Sequence, residues 1–315
     1  METYSKDDTS VIALRLMERR QEWASEFLLR AEGKRIGSFL VETLIGFGAE
    51  KVAFLSKDTD GINHALKMPW HPTSRCTAVH EMVHSCQQVE QEAWILQRFT
   101  IAAFPKFKAI IYNDPIMPTA AGVGKVPYLA EELIPGQSLE DILLRYDAGG
   151  RGFRMNEIAT ACLDMIVRMG AHLSQMGWLY TDYGPANFVI KDRSIRIVDP
   201  GSISIKVNGK VRRPRITLRS LTPQLLSSFM ADQENFYLSE ADTLLMLGRT
   251  ICVILSNQPL GTGQEIDWRL LVHRSDDMIF VLAKRLLRGE FRTFDEVLPE
   301  VQKIRAPKIR CLSKG

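Results

Sequence analysis

Tyr180-Thr181-Asp182-Tyr183-Gly184-Pro185-Ala186-Asn187, running into Phe188-Val189-Ile190-Lys191 and then Ile195-Arg196-Ile197-Val198-Asp199-Pro200-Gly201, decides the reading of this chain. The pattern is a turn-rich loop, a short apolar strand, a turn, a second apolar strand and a tight turn. Each half is ordinary by itself, since D-x-x-x-x-N is common and Asp-Pro-Gly is a turn signal. Together they put Asp182 and Asn187 in one loop and Asp199 seventeen residues later, with two strands between. Loop, strand, turn and returning strand make the two carboxylates and the amide converge.

Toward the amino terminus, residues 36–68 read as short β-type runs, SFLVETLIGFG, KVAFLS and HALKM, broken by Gly, Asp and Asn, which predicts a small antiparallel sheet. Gly46-Phe47-Gly48 lies between two runs and is followed by Val52. Glycines there would let backbone N–H groups approach an anion, although an isolated G-x-G is most simply a hairpin turn. Lys67 ends the third run, fifteen residues after Val52, where an ammonium beside a sheet can meet phosphates. Glu92, in a helical stretch at about 77–99, would turn inward and pair with it. An apolar stretch at 107–112, a Pro/Gly-rich loop at 113–127 and a strand at YLAEEL follow. Beyond residue 137 helices dominate, notably 156–176 and 239–256, and residues 11–31 form a leading helix stopped by Gly33.

In this order the motifs resemble those of protein kinases, over about residues 40–300. The resemblance implies an α+β fold with a small antiparallel-sheet amino-terminal lobe and a mainly helical carboxy-terminal lobe. Its boundaries are a helical extension at 1–35, a first lobe at 36–134 and a second at 135–315. It implies an ATP phosphotransferase using Mg2+, most simply one that phosphorylates a protein hydroxyl. A catalytically weak pseudokinase serving as a binding module and a small-molecule kinase are the alternatives. By resemblance, Asp182 faces the acceptor hydroxyl, Asn187 and Asp199 bind magnesium, and Lys67, oriented by Glu92, holds the phosphates. Gly46, Gly48 and Val52 would cover the nucleotide, while Glu132, Leu133 and Ile134 in the hinge-like YLAEELIPGQSL would lie near the base. Asp242 resembles the helix aspartate that braces the catalytic loop, and Arg292 a late arginine of the helical lobe.

Several positions depart from the family pattern. Glu50-Lys51 replaces the third glycine of the phosphate loop, Tyr180-Thr181 replaces His-Arg, Gly184 stands where many members carry a lysine, and Pro200 replaces a phenylalanine. Glu131 fills a gatekeeper position that is usually apolar, and Gln224 in Thr222-Pro223-Gln224 stands where a glutamate would pair with Arg292. Between Gly201 and that triplet, alternation around Asn208-Gly209 signals a hairpin. The same segment carries Lys206, Lys210, Arg212, Arg213, Arg215 and Arg219, which suit an acidic protein partner or simply form a solvated basic edge. Thr217, Ser220 and Thr222 are hydroxyls within it.

A second motif competes. His80-Glu81-Met82-Val83-His84 is a literal H-E-x-x-H, with Cys76 and Cys86 nearby, and on a helix it offers two imidazoles to zinc. The kinase-like reading explains far more of the chain. Forty basic and thirty-seven acidic residues give a formal charge of +3, too small to predict nucleic-acid binding. Five scattered cysteines argue against a disulfide framework, and the sequence contains neither a signal-peptide core nor a membrane-length apolar run. An intracellular, cytoplasmic protein is expected.

Overall fold

The computed structural model describes residues 29–47, 51–69, 78–116, 124–147, 155–191, 194–258, 261–274 and 277–304. It is a mixed α and β structure with an antiparallel sheet and several helices. The chain divides into two compact units, one of the residues up to Thr100 with Pro105–Leu133, the other of Ile101–Phe104 with the residues from Ile134. Residues 1–28 of the expected amino-terminal extension lie outside the described residues, and residues 29–31 are helical.

In the first unit, β1 (Arg35–Ile36), β2 (Phe39–Phe47), β3 (Lys51–Lys57), β4 (Asn63–Pro69), β5 (Phe107–Asn113) and β6 (Val126–Glu132) form one antiparallel sheet in the order β1-β2-β3-β4-β6-β5. Period-two alternation drives it. In β3, Val52, Phe54 and Ser56 are buried while their neighbours are half-exposed, and Val52 and Phe54 join Leu66, Met68, Tyr128 and Ala130 in a core cluster. The β3–β4 turn is set by Asp58, whose Oδ1 accepts the N–H groups of Asp60 and Ile62 at 3.0 and 2.9 Å.

Helix α1 (Ala78–Arg98) packs against β4, β5 and β6. Its buried positions, Met82, Ser85, Gln88, Val89, Glu92, Ala93, Ile95, Leu96 and Phe99 just beyond it, recur mostly at three- and four-residue spacing. Glu92 therefore sits in the middle of an otherwise packing-driven stripe, and that forces its carboxylate inward.

The second unit is built around α3 (Met155–Gln175), which packs against α5 (Glu240–Ser256) and α7 (Phe294–Lys303); α6 (Met278–Leu287) packs on α5. The shorter helices are α2 (Leu139–Asp147) and α4 (Pro223–Ala231). Two glycines permit the close helix crossings. A Cβ on Gly170 of α3 would lie 2.6 Å from the Phe294 ring, and one on Gly248 of α5 would lie 2.9 Å from Leu286 Cβ.

Small sheets complete this unit: β7 (Gln137–Ser138), β9 (Phe188–Lys191) and β10 (Ser194–Ile197) in the order β10-β9-β7, then β8 (Trp178–Tyr180) with β11 (Ile203–Ile205), and β12 (Lys210–Arg212) with β13 (Tyr237–Ser239). Ile101–Phe104 joins here rather than in the first unit, because Ala103 O accepts from Ile197 N at 2.8 Å and Arg196 Nη2 donates to Phe104 O. The Asn208-Gly209 signal is realised as a two-residue turn with both residues at positive φ and reciprocal Val207–Lys210 hydrogen bonds. Its arms then part, β11 to β8 and β12 to β13.

Candidate active site

The first unit holds a buried row of charges. Lys67 leaves β4 and Glu131 leaves β6; Ala65 pairs with Glu131 and Lys67 with Leu129, so Lys67 and Glu131 are diagonal neighbours on one sheet face. Lys67 Nζ contacts Glu92 Oε1 at 2.6 Å and Glu131 Oε1 at 2.8 Å. Lys51 Nζ contacts the other Glu92 oxygen, Oε2, at 2.5 Å. The Glu92 side chain has no exposed surface, and those of Glu131 and Lys67 are only 2% and 9% exposed. Sequence reasoning anticipated the Lys67–Glu92 pair; Lys51 and Glu131 join it as well.

Taking a carboxylate out of water disfavours its charged form. Burial pushes the Glu131 carboxyl up to about 8, against the pull of the Lys67 ammonium, and the Glu92 charge pushes it further. Its Oε2 is buried and has no hydrogen-bond partner among the described residues. The signal for Lys51 was available in the sequence as the residue replacing a glycine, one strand over from Lys67, but no spacing rule assigns such a residue to a carboxylate forty-one positions away.

Gly46 and Phe47 end β2, paired with Ala53 and Val52, and β3 resumes at Lys51. Gly48 lies outside the described residues. Gly46 is thus a strand residue beside a register shift between Leu44 and Gly46, not part of an open loop. Glu132 bonds back to Lys106 through its backbone and its Oε2. Leu133 and Ile134 are the residues at which the chain passes from one unit to the other.

The second unit holds the loop between β8 and β9. Asp182 Oδ1 accepts from Gly184 N and Thr217 N, both at 3.1 Å, and its Oδ2 accepts from Thr217 Oγ1 at 3.0 Å. Burial raises the Asp182 pKa, the Thr217 hydrogen bond opposes this, and the nearby Asp199 charge adds to the rise. Asn187 is tied to both neighbours: its Nδ2 reaches Asp182 O at 3.5 Å and its O accepts from Val198 N at 3.0 Å. Asp199 caps the turn that follows, accepting from Gly201 N at 3.1 Å. The three residues predicted from the loop–strand–turn–strand pattern are brought together.

Thr217 was legible only as one hydroxyl among several. It fills the space beside Gly184, where a Cβ would lie 3.0 Å from its Oγ1 and 3.3 Å from Asp182 Oδ1. Thr181 is fully buried and its hydroxyl is shared between Ser202 O and Arg215 O at 3.0 and 2.7 Å, so it joins those two segments. Arg215 in turn donates to Gly201 O at 3.1 Å.

Two analogies are corrected. Asp242 accepts from Ser239 N and Oγ at 2.8 and 2.6 Å, closing a capping box on its own helix instead of bracing the loop. Thr250, two turns further along α5, reaches the loop and donates to Tyr183 O at 3.2 Å. Arg292 is exposed and its side chain makes no hydrogen bond to Gln224; its backbone N–H bonds Glu296.

The basic segment also divides. Lys206 bonds Ser174 and Glu240 and Arg215 bonds Gly201, while Lys210, Arg212, Arg213 and Arg219 are exposed, Arg219 pairing with Glu140 at 2.5 Å, Arg212 reaching Asn235 Oδ1 at 3.5 Å and Arg213 donating to Glu234 O at 3.1 Å.

Among the described residues no group of three or more His, Cys, Asp or Glu side chains is placed to hold a metal ion, and no helix is long and apolar enough to cross a membrane. Cys76 and the side chains of His80 and Glu81 lie outside the described residues; His84 bonds Gln88 at 3.1 Å. No protein-family model matches the chain, and no curated protein matches its sequence.

Proposed function

We propose that this chain is a phosphotransferase with a bilobal, protein-kinase-like fold, moving the γ-phosphoryl group of ATP to a protein hydroxyl with the help of Mg2+. The observation that carries the reading is the Asp182 carboxylate, held by three hydrogen bonds from Gly184 and Thr217 within a loop shared with Asn187 and close to Asp199. A general base must be oriented before it can accept a proton, and here backbone and side-chain donors do the orienting.

Asn187 and Asp199 offer one amide oxygen and one carboxylate, a donor set that suits a hard cation completed by phosphate oxygens and water. Such a cation supplies charge neutralisation on the transferring group. Asp182 would accept the acceptor hydroxyl's proton as the acceptor oxygen bonds to phosphorus and the bond to the ADP oxygen breaks. Lys67, aligned by Glu92, would hold the phosphates, while Gly46, Gly48, Val52, Glu132, Leu133 and Ile134 remain the proposed nucleotide contacts.

One observation favours a second reading. Lys67 is shared between Glu92 and Glu131, so a phosphate would have to compete with a second acidic side chain. That competition suits a catalytically weak pseudokinase used as a binding module.

Incubation of wild type and Asp182→Asn with γ-labelled ATP and magnesium separates the readings. Transfer by wild type alone supports the enzyme. ATP binding without transfer to the chain or to a panel of acceptor proteins supports the binding module, and absence of ATP binding overturns the enzyme.

A further inference from the structure

A small pocket in the second unit, with room of about 30 Å3, is lined by Glu140, Arg219, Ser220 and Arg249, with Leu143, Pro185 and Val253 among its walls. Its charge is unusual. Arg249 is only 2% exposed, yet no carboxylate lies within ion-pair distance among the described residues. Its Nε donates to Arg219 O at 3.2 Å and its Nη2 to Gln264 O and Gly261 O at 2.7 and 3.5 Å, while Nη1 has no hydrogen bond among the described residues. Ser220 is 4% exposed and its Oγ is buried without a partner among the described residues. Arg219 is balanced by Glu140, so the pocket keeps one buried positive charge and one unused hydroxyl.

A buried cation answered only by carbonyl dipoles is costly, and an incoming anion offsets that cost. The pocket's place in the chain says where such an anion would come from. Pro185 follows Asp182 by three residues, and Arg219 follows Thr217, which holds the Asp182 carboxylate, by two. At about 3.5 Å per residue the pocket wall begins within about 10 Å of that carboxylate.

We propose that this pocket binds the side-chain carboxylate of an acidic residue flanking the acceptor hydroxyl, and so selects acidic acceptor segments. The inference rests on the phosphotransferase reading for what the acceptor is, but not for the pocket's preference. Room for a water takes about 10–15 Å3, so this pocket suits the three heavy atoms of a carboxylate better than the five of a phosphoryl group. Arg249 Nη1 and Ser220 Oγ would donate to it.

The test uses matched peptides with one central serine and a single glutamate, glutamine or phosphoserine at each flanking position, assayed for phosphoryl transfer and, separately, for binding by fluorescence anisotropy. Wild type should favour glutamate over glutamine by about tenfold at one or two positions. Arg249→Gln should remove the preference; because Arg249 also holds the 261–264 backbone, Ser220→Ala and Arg219→Gln serve as variants that spare those bonds, and each should weaken it severalfold. Equal binding of glutamate and glutamine peptides, a stronger preference for phosphoserine, or a preference unchanged in all three variants would overturn the proposal. A glutamate preference in binding without any transfer would sink the phosphotransferase reading and leave the pocket's assignment standing.

Discussion

Thr217 grips Asp182 twice, through its backbone N–H to Oδ1 and its hydroxyl to Oδ2, across thirty-five residues of chain. Two separate segments are thereby locked to the two oxygens of one carboxylate. Any function of Asp182 passes through Thr217.

Thr217→Val keeps the shape and the backbone donor but deletes the hydroxyl. A hydrogen bond to a charged group is worth about 1.5–3 kcal/mol, so transfer should fall about 10- to 100-fold if Asp182 is the base. The lost bond is one that lowers the Asp182 pKa, which burial already raises, so the acid limb of the pH–rate profile should move to higher pH. A rate loss without that shift would assign Thr217 to packing alone.

How far the sequence led to this site depends on the kind of signal. The Asp182, Asn187 and Asp199 cluster was legible because a strand–turn–strand return has a local geometry that fixes which residues meet. Glu92 was legible because helical periodicity decides which face it takes. Thr217 and Lys51 were not, since each meets its partner by tertiary packing of segments thirty-five and forty-one residues apart. Asp242 misled for the opposite reason: a cap three residues away satisfied it first. The short Ile101–Phe104 excursion into the second unit has no local signature at all, because it depends on the Ile197 N–H donating to Ala103 O and the Arg196 guanidinium donating to Phe104 O, more than ninety residues away.

Glu131 should make stability pH-dependent. Its folded pKa of about 8 lies above the ordinary carboxyl value, so the native state holds a proton that the unfolded chain has released. Stability is then fully present below about pH 4.5 and is lost as pH rises toward about 8, by about 1.4 kcal/mol per pH unit at most. Urea unfolding of wild type and Glu131→Gln across this window should give a difference that grows with pH, the variant lacking the decline. Parallel curves would place the proton elsewhere.

The helix crossings give a prediction independent of function. Gly170→Ala gains helix propensity of about 1 kcal/mol, but its Cβ would lie 2.6 Å from the ring of Phe294, which is fully buried and has nowhere to retreat. Overpacking of about 1–3 kcal/mol should win, lowering the thermal midpoint. Gly124→Ala, with nothing within 4 Å of its Cβ, should change stability by less than about 0.5 kcal/mol.

Glu92 and Lys51 should differ sharply although they touch. Glu92→Gln takes the shared carboxylate from one buried and one part-buried ammonium at once, and stripping a partner from a buried pair costs about 3–5 kcal/mol. Lys51→Met leaves Glu92 facing Lys67, and its apolar stem can keep the packing of the lysine it replaces, so its loss should be clearly smaller. Denaturant midpoints of the two variants decide the matter. Should Lys51→Met prove the more damaging, Lys51 and not Lys67 is the ammonium that Glu92 is built to hold, and the phosphate-binding role proposed for Lys67 passes to the neighbouring strand.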